Sequence, residues 1–318
     1  MKISGFTFGK NLSKLYYPYK ESILSILPIV DEFVIALGDS ENDDDSRRVI
    51  EAIKSHKIKI IDTRWDIEKY PGGTELAHQT DIAKQHCSGD WLFYIQGDEV
   101  MHEKYLDVVR EKCSRYLNDK DVEGLLFDYV HFWGDYEHYH KSHCWYRKEI
   151  RVIKNDPDIH SWRDAQSFRK IPGFDGINYM QEHNSYKLKV VNAGAEIYHY
   201  GWVRPPRLMN SKVKAFNETK RGKKYVEGLD KQEIFSQTFD YGPLDRLPRF
   251  KDTHPSVMND FIKKFDWKDQ LRYQGKLSSN MLKAKHDKSK YRVISWIENN
   301  LLMGNRLGEF KNYTLLKK

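Results

Sequence analysis

Short apolar runs alternate with amphipathic segments through the first 130 positions. Residues 3–8, 33–37 and 58–62 have the length and the β-branched or aromatic content of strands. Each is followed by a segment with helical spacing. The first, residues 21–27, is stopped by Pro28; the second, residues 46–55, has Ser46 placed to cap its amino end; the third opens at Thr74 and ends near Ser88-Gly89. Residues 91–95 (Trp-Leu-Phe-Tyr-Ile) form a continuous apolar run suited to a buried strand. Residues 102–117 place Leu106, Val109, Cys113 and Tyr116 on one helical face, and residues 124–130 read as the next strand. Alternation at this pace predicts an α/β fold with a mainly parallel central sheet covered by helices.

The texture changes after residue 131. Residues 132–200 are aromatic and turn-rich, with shorter strands at 149–153 and 187–191, as expected of a cover over the carboxyl edge of the sheet. Beyond Pro205-Pro206 the chain is polar and basic, with helical pieces at 211–219, 256–265 and 291–302. The predicted organisation is therefore a domain over 1–208, in halves 1–130 and 131–208, and a C-terminal helical extension over 209–318.

Composition narrows the function classes. The 318 residues supply ample apolar material for a core, and no stretch approaches the roughly 20 apolar residues of a membrane span. The polar start lacks the apolar stretch of a signal peptide, and Cys87, Cys113 and Cys144 are too few and too scattered for a disulfide framework; both features lead to the expectation of a cytoplasmic protein. The net charge of +7 and 14% aromatic residues raise nucleic-acid binding as a function, but the basic residues are spread out. They become dense only at 212–224 and 283–292, without the interleaved aromatics of an RNA-binding motif. No nucleic-acid partner is expected, and such stretches are solvated helix faces or a basic rim for an anionic ligand or the inner face of a membrane. Nothing in the pattern specifies an oligomeric state.

The candidate chemistry lies at strand ends. Gln96-Gly97-Asp98-Glu99 follows the 91–95 strand, and a carboxylate pair at the carboxyl end of a strand suits a divalent cation held against a diphosphate; the alternative is an acidic turn after a core strand. Gly38-Asp39-Ser40-Glu41 follows the second strand and places Asp39 and Glu41 on the same edge, Asp39 as a partner for a base or ribose. Asp43, Asp44 and Asp45 read as an exposed acidic loop. No G-x-G-x-x-G follows the first strand and no P-loop occurs, so a bound diphosphate needs its charge neutralised by a metal with Lys or Arg.

This order of strand, acidic loop, helix, strand, the Gly72-Gly73-Thr74 segment and the Trp91 to Glu99 run resembles the nucleotide-sugar half of family 2 glycosyltransferases with a GT-A fold, over about the first 130 residues. It is similar to the branch with an extended D-E motif found in lipopolysaccharide-core glucosyltransferases. The resemblance implies a nucleoside-diphosphate sugar donor, a saccharide or lipid-linked glycan acceptor, and Mg²⁺ or Mn²⁺. It puts Asp39 on the donor's nucleoside and Asp98 on the metal and diphosphate. Gln96 departs from the pattern, replacing the first acid of D-x-D and leaving metal dependence open.

An inverting transferase also needs a base for the acceptor hydroxyl. Asp164, in Ser-Trp-Arg-Asp-Ala-Gln, is the first candidate and Glu182 the second. Near the end of the domain, His199 is a further candidate metal ligand beside Asp98 and Glu99. Arg204 is a candidate donor-diphosphate contact, and Trp133, Tyr136 and Trp202 are candidate acceptor-facing aromatics. For His199 a purely structural backbone bond is an equal reading. His131, His138, His140 and His143 with Cys144 raise a zinc hydrolase as a rival, although no recognised ligand spacing is present. A non-catalytic binding protein of the same fold is the other rival, favoured by Gln96.

Overall fold

A computed structural model describes residues 1–231, 238–276, 285–303, 306–308 and 310–318. Its elements, in order, are β1 (Ile3–Gly9), α1 (Tyr19–Ile26), β2 (Glu32–Leu37), α2 (Ser46–Glu51), β3 (Ile58–Asp62), α3 (Thr74–Gln85), β4 (Trp91–Tyr94), β5 (Glu99–Met101) and α4 (Leu106–Arg115). Then follow β6 (Gly124–Trp133), β7 (Tyr139–His140), β8 (Lys148–Lys154), β9 (Ile159–Trp162), β10 (Ser167–Lys170), β11 (Tyr186–Trp202), α5 (Pro206–Arg221), α6 (Lys223–Lys231), α7 (Asn259–Ile262), α8 (Ser289–Asn300) and β12 (Tyr313–Leu315).

The α/β class is the one expected, and the sheet runs β3-β2-β1-β4-β8-β6-β11-β10-β9. β1, β2, β3 and β4 are mutually parallel, as are β6 and β11, while β8 is antiparallel to both β4 and β6. Because β8 reverses direction between them, β4 and β6 point the same way. The carboxyl ends of β1, β2, β3, β4 and β11 therefore collect on one edge of the sheet, where ligands of open α/β sheets bind.

Both faces of the sheet are sealed, which is why its strands read as unbroken apolar runs. Phe33, Ile35, Phe93 and Phe127 pack on one side with α1 and α4, and Phe6, Val34, Leu92 and Tyr94 on the other with Ala83 of α3. A separate aromatic core holds residues 241–271 against β6 and β11 through Phe132, Tyr200, Tyr241 and Trp267.

Several short strands escape the apolar-run reading. β5 is three residues long, β9 and β10 form a short hairpin, and β12 pairs with β11 from within the segment expected to be helical. α2 stops at Glu51, short of residue 55. Ser46 turns inward, its hydroxyl accepting from the Ser13 amide at 3.2 Å. Of the basic stretch at 283–292, residues 283 and 284 lie outside the described residues. Among the described residues no helix is long and apolar enough to cross a membrane.

Candidate active site

A cleft of about 1340 Å³ opens along the collected strand ends, and its walls come from segments spread between Phe8 and Glu227. β1 delivers Lys10 and Asn11, β2 delivers Asp39 and Glu41, the chain after β3 delivers Trp65, and β4 delivers Gln96 and Asp98. The β9–β10 turn contributes Asp164, β11 contributes His199 and Trp202, and α5 contributes Lys212 and Phe216. Helix α5, expected as part of an appendage, is thus a wall of the site.

At one end, Lys10 Nζ meets Asp39 Oδ1 at 2.9 Å, and the Trp65 amide donates to the same oxygen at 3.1 Å. Burial alone would raise the Asp39 carboxyl, but these two donors hold it below its ordinary value. The Trp65 indole rests on Gly38, where a Cβ would come within 2.4 Å of its Nε1, so the glycine makes room for the ring. Glu41 exchanges two hydrogen bonds with Asn11, at 3.0 and 2.8 Å, and pairs with Lys14. Asp43 also binds Lys14 and Asp45 binds Arg48 at the surface, as an exposed acidic loop should.

Asp98 and Glu99 have opposite fates. Asp98 lies in a turn closed by the Glu99 amide on the Gln96 carbonyl at 2.9 Å, and Glu99 opens strand β5, which pairs antiparallel with β11 and sets Glu99 opposite His199. Glu99 turns into the protein, where Arg151 donates from Nε at 2.8 Å and from Nη2 at 2.7 Å, Tyr129 from its hydroxyl at 2.8 Å and Gln96 from its backbone N–H at 3.1 Å. Fully buried and saturated, Glu99 cannot ligate a metal in the cleft, which corrects that expectation.

Asp98 faces the site. Its Oδ2 lies 3.1 Å from Lys212 Nζ and 3.5 Å from His199 Nε2. Burial works to raise this carboxyl, yet Lys212, His199 and Arg204 outweigh it and hold it far below the carboxylate range. Lys212 is drawn down to about 8, first by burial and then by Arg204, against the pull of Asp98. A β-bulge between His199 and Trp202 turns this stretch of β11 toward the cleft. At Gly201 an added Cβ would fall 2.3 Å from Asp98 Oδ2, 2.6 Å from His199 Nε2 and 2.7 Å from Lys212 Nζ.

The hydrogen-bond network assigns the His199 tautomer. His131 Nε2 lies 2.7 Å from the Tyr146 carbonyl, which only accepts, so this nitrogen carries the proton. Burial drives His131 well below its ordinary value, leaving it neutral with a bare Nδ1 that accepts from His199 Nδ1 at 3.0 Å. Nε2 of His199 is then the nitrogen turned to Asp98 and the cleft.

Gln96 uses a capacity that the acid of D-x-D lacks. Its amide nitrogen donates to the Tyr94 hydroxyl at 3.1 Å and to the Ala165 carbonyl at 3.2 Å, tying the strand end to the β9–β10 turn. That turn holds Asp164 between Arg163 and Ala165, both in the left-handed region at φ 57° and 59°. Asp164 lines the cleft and meets Lys220 of α5 at 2.8 Å.

The other sequence candidates lie elsewhere. Glu182 is 71% exposed, pairs with Arg163 at 2.8 Å and does not line the cleft. Arg204 is wholly buried over the Tyr17 ring and donates to the Leu15 and Gly201 carbonyls, so it acts on the site through its charge instead of touching a ligand. Trp202 lines the cleft, but Trp133 stacks behind it at 5.0 Å, beside a smaller cavity of about 550 Å³. Tyr136 is packed among Tyr200, Phe265 and Trp267. Neither Trp133 nor Tyr136 is an acceptor-facing ring of the main cleft. The histidines of the zinc reading are dispersed: His138 binds Asp135, His143 binds Glu298, and His140 stacks on Trp145.

These residues do not fit a resident Mg²⁺ or Mn²⁺. Gln96 brings no charge, Glu99 is saturated, and one carboxylate, Asp98, is faced by both Lys212 and Arg204. Among the described residues no three His, Cys, Asp or Glu groups converge as a metal site.

Comparison with known proteins finds no matching family model and no matching curated protein. Among solved structures, glucosyl-3-phosphoglycerate synthase from Mycobacterium tuberculosis, in complex with Mn²⁺, uridine diphosphate and phosphoglyceric acid, aligns with 42% of this chain and 43% of its own at 19% identity and a TM-score of 0.28. TarS of S. aureus aligns with 68% of this chain and 39% of its own at 11% identity and a TM-score of 0.35. The mannosyltransferase PcManGT of Pyrobaculum calidifontis, with GDP-Man and Mn²⁺, aligns with 41% and 36% at 16% identity and a TM-score of 0.29. Each match spans less than half of the solved chain.

Proposed function

We propose that this chain is a GT-A-like glycosyltransferase that moves a sugar from a nucleoside-diphosphate sugar to a hydroxyl of a saccharide or lipid-linked glycan, with inversion. The observation that carries the reading is one continuous cleft lined by a carboxylate and an indole (Asp39, Trp65), an ion pair (Asp98, Lys212) and a further carboxylate (Asp164). Its volume exceeds what a single small ligand needs and suits a donor with an acceptor.

In this reading residues 1–130 hold the donor, 131–208 shape the acceptor side, and α5 of the following segment closes the cleft. Asp39 accepts from the ribose or base while Trp65 covers the base. Asp164 takes the proton of the acceptor hydroxyl as its oxygen attacks the anomeric carbon, and the bond to the diphosphate breaks with its electron pair on the leaving oxygen. Positive charge at the centre of the cleft stabilises that oxygen. Trp202 offers a flat apolar face to a sugar ring.

A thermal-shift panel of UDP, GDP, CDP and dTDP with their sugars tests this, since a ligand bound only to the folded chain raises its melting temperature. One nucleotide is expected to stand out, and its sugar to be hydrolysed slowly without acceptor. No shift with any of them refutes the donor reading. A selective shift without turnover favours the non-catalytic reading that Gln96 suggests.

A further inference from the structure

The diphosphate centre contains a cation of the protein's own. Lys212 Nζ has three N–H groups. One points to Asp98 Oδ2 at 3.1 Å and one to the Gly201 carbonyl, which leaves the third for an oxygen in the cleft. Its surroundings fix it there. The rings of Tyr17 and Trp202 lie 5.2 and 5.4 Å from the ammonium, and the side chain is only 13% exposed. His199 Nε2 and the Asp98 carboxylate oxygen converge over Gly201 with the ammonium. The other side chains of the strand end cannot recruit a divalent ion, because Gln96 is neutral and Glu99 is closed off by Arg151.

We propose, resting on the donor reading above, that the Lys212 ammonium is the resident cation of the diphosphate subsite, filling the place beside Asp98 that a divalent ion would otherwise take. Asp98 then orients the lysine and does not meet the phosphates through a metal. As the sugar–diphosphate bond breaks, the free N–H of Lys212 stabilises the leaving oxygen, with no proton transfer required. Helix α5 is part of the reaction centre, and nucleotide binding is independent of added metal.

The test is calorimetric titration of UDP, GDP, CDP and dTDP into the full-length protein in EDTA and in Mn²⁺. The wild type should bind its preferred nucleotide with equal affinity in both. Lys212→Met should bind about 10- to 100-fold more weakly in EDTA, and recover with Mn²⁺ as the vacated place admits the ion. Lys212→Arg should stay within a few fold of wild type. Wild-type binding that requires Mn²⁺ overturns the proposal with no variant needed, as does undiminished binding by folded Lys212→Met in EDTA. Absence of binding by the wild type in both buffers overturns the donor reading and this proposal with it.

Discussion

Arg151 grips both carboxylate oxygens of Glu99, at 2.8 and 2.7 Å, with neither side chain exposed to solvent. The pair anchors the chain just after Asp98 to the antiparallel strand β8, and so sets where Asp98 stands. Removing one partner leaves the other charged and buried. Glu99→Gln is therefore expected to cost about 3–5 kcal/mol, read as a lower urea midpoint. A variant of wild-type stability that has lost only metal binding would return Glu99 to the role of ligand.

The two candidate bases part company in the structure. Asp164→Asn should lower transfer about 10²- to 10⁴-fold and leave the nucleotide-induced thermal shift in place. Glu182→Gln, altering a surface pair with Arg163, should transfer at the wild-type rate. Steady-state assays with a saccharide acceptor decide between them, and the reverse result would move the base to Glu182.

Trp65 was not among the sequence candidates, although an aromatic residue just past the end of a strand is the signal that identifies it. If it covers the base, Trp65→Ala weakens nucleotide binding about 10- to 100-fold. Titration with the preferred nucleoside diphosphate measures this. Equal affinity would mean that Trp65 only packs on Gly38 and Phe8.

Gly201→Ala should damage the site more than the fold. The new methyl would press on Asp98, His199 and Lys212 together, displacing them at a cost of about 1–3 kcal/mol. The expected result is a nearly normal melting temperature without a nucleotide shift; a preserved shift would show that the three side chains move aside freely.

Stability should also depend on Glu149, whose carboxyl is pushed up to about 7 by burial while Gln166 donates to it at 2.7 Å. Its ordinary value is 4.5, so between about 4.5 and 7 the folded chain binds a proton that the unfolded chain has released. This group's contribution is complete below that window and is lost as pH rises through it. Glu149→Gln keeps an acceptor for Gln166 and removes the titration, so denaturation midpoints of the variant should fall less than those of wild type between pH 5 and 7.5. Parallel curves would exclude Glu149 as the source.

Much of the sheet was legible in the sequence because burial on both faces demands continuous apolar runs, and 3–8, 33–37, 58–62 and 91–95 each mark a strand of the parallel half. The short strands β5, β9 and β12 were not, since three or four residues carry too little periodicity to distinguish them from loops. In the site, Asp39 and Asp98 follow from their positions just beyond apolar runs. Lys212 had no such signal, because a basic helix face looks the same in sequence whether it meets solvent or a cleft.

Which strand ends carry acids can be read along the chain, and the parallel order expected of its strands puts those ends on one edge. What surrounds each acid emerges only on folding. Asp98 and Glu99 are neighbours in the chain, but the turn that ends at Glu99 leaves one in the cleft and the other on Arg151, 52 residues away. The partner of Asp98 is 114 residues away on α5, and the tie from Gln96 to the turn holding Asp164 spans 69. Apolar periodicity is a local property, whereas charge pairing depends on distances that exist only after the chain has folded.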